Sequence, residues 1–198
     1  MTGADGDALG TLERVGGQSV LRYRRRLAHP QPKVWRALTE DAHLAEWFPT
    51  TIEGARAGGA PLHFSFREAE GEPFDGEMLA FDPPSLMELR WADDVLRFEL
   101  EPDPEPDGSG CILRLTVTFP EHGKAARDAA GWHVCLEELA HALDGTPPPW
   151  NPPDRWRVVH RCYVERLGPE ASAIGPPEEW KRVHGAEVVQ GDKRLPPA

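Results

Sequence analysis

From Glu121 to Asp144 the large apolar residues Trp132, Leu136, Leu139 and Leu143 recur at spacings of four, three and four. Residues three and four apart lie on one side of an α-helix, so this stretch predicts a single long helix with one apolar stripe. Ala125, Ala129 and Ala140 continue the stripe with small side chains, and Gly145 followed by Pro147–Pro149 stops it. A helix of roughly 20 residues is about 30 Å long, the span of a small domain. Almost everything upstream alternates with a period of two instead. Ser19–Ala28 puts Leu21, Tyr23 and Leu27 on one side. Ala60–Arg67, Phe74–Phe81, Ser85–Trp91, Val95–Leu100 and Cys111–Phe119 follow as further strands, separated by short Gly, Pro and Asp turns. Between the first and second strands, His29-Pro30-Gln31-Pro32 opens two short helices, Lys33–Leu38 and Thr39–Phe48, with Thr39 as the expected N-cap of the second.

Short loops between successive strands force antiparallel neighbours. A sheet with one polar face needs a cover on the other, and only the long helix is large enough. The expectation is an α+β domain: a curved antiparallel sheet of about six to seven strands around a long C-terminal helix, with two short helices after the first strand. Residues 1–17 are expected to be a disordered tail and 18–146 the domain. Residues 147–170 form a Pro-rich linker and an additional helix with a Trp156, Val159, Tyr163 stripe, and 171–198 form a loose tail. The stripe needs burial, on the main domain by preference or in a homodimer contact.

Composition narrows the function. The formal charge of −11 argues against nucleic-acid binding, which needs a basic footprint. No apolar run approaches the ~20 residues that span a bilayer, and the N-terminus has no signal-peptide pattern. A cytoplasmic protein without membrane insertion is expected. Cys111, Cys135 and Cys162 are odd in number and lack a CxxC, which fits a reducing compartment.

Three ordered segments resemble one family. His29–Pro49 (HPQPKVWRALTEDAHLAEWFP), Phe74–Trp91 (FDGEMLAFDPPSLMELRW) and Asp128–Leu143 (DAAGWHVCLEELAHAL) are similar to segments of the activator of heat-shock protein 90 ATPase homologue family, C-terminal-domain type, within the SRPBCC, or START/Bet v 1-like, superfamily. Trp150–Glu170 resembles an extension found in a bacterial subset. The resemblance implies the helix-grip fold with a cavity between sheet and helix. It also implies members that bind hydrophobic or aromatic molecules or act as cyclases or hydrolases. No shared catalytic motif comes with it, and fold alone does not decide function.

The expected ligand site lies between sheet and helix, lined by Phe64, Phe66, Met78, Leu89, Trp91, Phe98, Leu115, Trp132 and Leu136. Such pockets are mostly apolar with a few polar groups. The same side chains also suit plain core packing, and Met78 sits in a strand apolar on both parities. His133, Glu137 and His141 share one helix face but do not match a zinc-protease pattern; a solvated polar face is the expectation, and no metal or cofactor is assigned. His63 falls on the outward parity. Tyr23, Glu77, Arg97 and His133 are the inward ionisable candidates for acid–base work. GARAGGA (Gly54–Ala60) lacks the lysine and following helix of a phosphate loop. Three readings stay open: a non-catalytic binder of a hydrophobic or aromatic small molecule, a chaperone-interacting module, and an enzyme using a cavity acid or base.

Overall fold

The structure, a computed structural model, describes residues 9–67, 71–104 and 110–184. The alternating segments form one antiparallel sheet, and its strands in chain order are Thr11–Val15 (β1), Gln18–Leu27 (β2), Thr50–Glu53 (β3), Pro61–Phe66 (β4), Phe74–Asp82 (β5), Leu86–Trp91 (β6), Asp94–Pro102 (β7) and Cys111–Phe119 (β8). Their spatial order is β1-β2-β8-β7-β6-β5-β4-β3, so the first hairpin closes beside the last strand. Gln31–Thr39 (α1) and Asp41–Leu44 (α2) connect β2 to β3, and Ala125–Asp144 (α3) lies across the concave face. This is the helix-grip architecture.

The core follows from strand parity. On β8, Cys111, Leu113, Leu115, Val117 and Phe119 are buried and alternate with half-buried Arg114, Thr116 and Thr118. Leu115 lies opposite Tyr23 on one side and Phe98 on the other. From α3 the residues Ala125, Ala129, Trp132, Leu136, Leu139 and Leu143 are buried. The helix ends where Gly145 takes a left-handed φ of 65°, which glycine adopts without steric cost. Lys33 Nζ donates to Leu143 O at 2.7 Å, which ties α1 to that end of α3.

Several expectations are corrected. Residues 11–15, read as tail, form β1, because the backbone of TLERV pairs with Gln18–Arg22 although its side chains are mostly exposed. Residues 1–8 lie outside the described residues. Thr39 does not cap a second helix. It ends α1, with Oγ1 donating to Trp35 O at 2.8 Å, and α2 is a single turn. Thr50–Glu53 was not foreseen as a strand; with β1 it raises the sheet to eight.

Beyond α3, Pro152–Leu167 forms α4 and Glu178–His184 forms α5, and 185–198 fall outside the described residues. The α4 stripe of Trp156, Val159 and Tyr163 is buried within this chain. Tyr163 Oη accepts a hydrogen bond from the buried Gly10 N–H at 2.7 Å, so α4 pins the segment entering β1. Tyr163→Phe leaves that N–H without its acceptor. The expected loss is about 1–3 kcal/mol, with faster hydrogen exchange in Thr11–Val15. Unchanged stability and exchange would show that the contact contributes nothing.

Candidate functional site

His133, expected on a solvated face, is buried, because α4 covers that side of α3. Its Nδ1 lies 3.3 Å from Tyr163 Oη and its Nε2 lies 3.2 Å from Glu137 Oε1. Arg155 grips Glu137 with two hydrogen bonds of 2.8 and 2.6 Å. Burial raises the Glu137 pKa, but hydrogen bonds and charge from Arg155 and His133 outweigh it and hold the carboxyl down at about 2. Tyr23 Oη donates to Ala129 O at 2.9 Å, and burial pushes its pKa up. These groups satisfy one another and dock α4. His141 lies apart, 3.3 Å from Thr146 Oγ1. Of the other ionisable candidates, Glu77 faces Arg90 in a half-exposed pair and Arg97 pairs with Glu88 and Glu99 on the outer face. His63 pairs with exposed Asp75. Among the described residues no cluster suits a metal ion.

The open space lies at one end of the sheet–helix interface. A cleft of about 720 Å³ is bordered by the loop after α2, the end of β4, the β6–β7 turn, the first half of α3, the start of α4, and Pro176–His184. One wall belongs to the sheet domain. There Trp91 meets Phe48 edge-on at 5.3 Å and Trp132 at 5.8 Å, with Phe66 beside it at 6.4 Å. The other wall belongs to the C-terminal extension. Trp156 packs on Trp180 at 4.7 Å and stacks on His160 at 4.5 Å. The turn that presents Trp91 is tight, and Ala92 there holds a φ of 51°, unusual for a residue with a Cβ.

The nine residues predicted to line a site therefore separate. Phe66, Trp91 and Trp132 border the cleft. Phe64, Met78, Leu89, Phe98, Leu115 and Leu136 do not border it and are buried in the core. The open space thus lies at the end of the sheet–helix interface rather than in its middle. Sequence reasoning missed Phe48, Trp156 and Trp180; the surplus of tryptophans in the short helices and the extension was the available signal.

Charged groups line one side. Lys124 Nζ lies 2.8 and 2.6 Å from the two carboxylate oxygens of Asp94 and 3.3 Å from Asp128. Arg127 Nε donates to Asp128 at 2.6 Å. Burial pushes the Asp94 carboxyl up, and Lys124 offsets part of that rise. Arg67 donates to Ala45 O at 2.5 Å and Thr50 O at 3.1 Å, and burial lowers its pKa. The arrangement can hold an apolar or aromatic body against tryptophan faces with its polar end toward this charged side.

A curved antiparallel sheet closed over a long C-terminal helix places the protein in the SRPBCC-type class of folds. Within that class the chain belongs to the family described as Activator of Hsp90 ATPase homolog 1-like protein, whose model matches residues 28–144. A conserved protein of unknown function from Enterococcus faecalis shares the fold at a TM-score of 0.64 and 20% identity, over 80% of this chain and 90% of that one. A Bordetella parapertussis protein superposes at 0.63 with 26% identity, over 84% and 96%. CalU16 from Micromonospora echinospora superposes at 0.61 with 17% identity, over 79% and 94%. No curated protein matches. The family match ends at Asp144, before α4 begins, so the Trp156–Trp180 wall is built by residues beyond the matched segment. No helix among the described residues is long and apolar enough to cross a membrane.

Proposed function

We propose that the protein binds a small apolar or aromatic molecule in the cleft between the sheet domain and the C-terminal extension. The observation that carries this reading is a 720 Å³ cleft with tryptophans on both walls. That volume falls in the range of roughly 300–1,000 Å³ common to small-ligand sites. The exposed large apolar side chains among the described residues, Val15, Val158 and Val183, sit on three separate elements, which favours the cleft over a surface patch of the kind a chaperone would dock on.

The test is titration with phenylnaphthylamine, a neutral dye that brightens in apolar sites. Saturable binding is expected, weakened by Trp156→Ala at least about tenfold, the order expected when an aromatic contact is lost. Trp156 belongs to the buried stripe of α4, so thermal unfolding of the variant is the check that the fold persists. No saturable binding, or equal affinity in the folded variant, would overturn the reading.

A further inference from the structure

The charges around the cleft are unequally satisfied, and the inequality selects among ligands. Carboxylates outnumber Lys and Arg side chains on its walls by five to three. Lys124 and Arg127 are already engaged by Asp94 and Asp128. Arg67 spends donors from both terminal nitrogens on backbone carbonyls. By contrast, the exposed Glu46 and Asp93 have no basic partner among the described residues. Both border the cleft next to the aromatic wall in the chain, Glu46 just before Trp47 and Phe48, and Asp93 in the turn after Trp91. Tryptophan and phenylalanine faces carry negative quadrupole potential and attract cations, most strongly where water is excluded. The net charge of −11 adds a long-range field that draws cations to the surface.

We infer that the preferred occupant is a cation: an amine or quaternary ammonium compound with an aromatic or alicyclic body. The body lies between the Trp91–Trp132 and Trp156–Trp180 walls, and the charged nitrogen faces the rim carboxylates of Glu46 and Asp93. This inference rests on the cleft being the ligand site. An anionic ligand of the same shape meets the two unpaired carboxylates and, on the basic side, only cationic groups that are already engaged.

The test uses the full-length protein and three phenyl compounds of similar size, benzyltrimethylammonium, its uncharged carbon analogue and phenylpropionate, each displacing phenylnaphthylamine. The cation is expected to displace the dye at concentrations at least about tenfold below the anion, with the gap narrowing as salt is raised. The double variant Glu46→Gln, Asp93→Asn, altered only at exposed positions, is expected to lose at least about threefold of that preference while binding the neutral compound as before. If the dye binds but the cation is no better than the anion, the inference fails and the cleft reading stands. If the cation wins and the double variant keeps the full preference, the assignment to Glu46 and Asp93 fails. If neither the dye nor any probe binds, both readings fall together.

Discussion

Truncating Phe98 to alanine is expected to destabilise the protein by about 3–5 kcal/mol and to change dye affinity by less than about threefold. Phe98 is fully buried, lies opposite Met87 and Leu115 in the sheet, and meets Trp47 edge-on at 6.2 Å. Core aromatics of this kind leave a cavity that the surroundings only partly refill, which sets the size of the loss. The residue was also a candidate for lining a ligand cavity, and the two roles predict opposite results. A ligand-facing Phe98 would change binding strongly and stability little. Urea unfolding and dye titration on the same variant separate them.

Acid is expected to weaken the protein through the Glu137 carboxyl, and Glu137→Gln is expected to remove that sensitivity. The group titrates near 4.5 when unpartnered and near 2 in the folded protein. A carboxyl whose folded pKa is depressed stabilises fully above its unfolded pKa, and the contribution disappears as pH falls through the folded value. The affected window therefore runs from about pH 5 down to about pH 2. The side chain is a quarter exposed, and solvent screening reduces the worth of the pair. About 2 kcal/mol is the expected contribution near neutrality. Urea unfolding from pH 7 to about 2.5 should show the variant less stable by that amount at neutrality, with the two proteins converging in acid. A constant gap across the range would contradict the assignment. Because Arg155 and His133 meet Glu137 where α4 docks on α3, the early loss in acid should be visible as a change in Trp156 and Trp180 fluorescence.

How far these features were legible depended on what each residue packs against. β8 was readable because its alternating side chains meet one apolar core and one wetter surface, so parity and environment agree. The stripe on α3 was readable for the same reason. β1 was not, because TLERV is held by backbone pairing to β2 and presents mostly exposed side chains, leaving no apolar pattern to read. His133 and Glu137 lie on what looks like a solvated row of α3. Only the apolar stripe of α4 hinted that something covers it, and nothing in the spacing said that Tyr163 and Arg155 would meet those two residues. The cleft was half legible. Trp91 and Trp132 follow from strand and helix parity, but Phe48, Trp156 and Trp180 join them in lining the cleft from segments far apart in the chain. Local periodicity carries no information about where such segments converge.

The most direct test of the account is where a bound ligand sits. Intermolecular nuclear Overhauser effects measured from phenylnaphthylamine to the protein should run to the indole protons of Trp91 and Trp132 on one wall and of Trp156 and Trp180 on the other. Contacts instead to Leu89, Phe98 and Leu136, with none to the extension, would place the ligand inside the sheet–helix interface and contradict the assignment of the cleft.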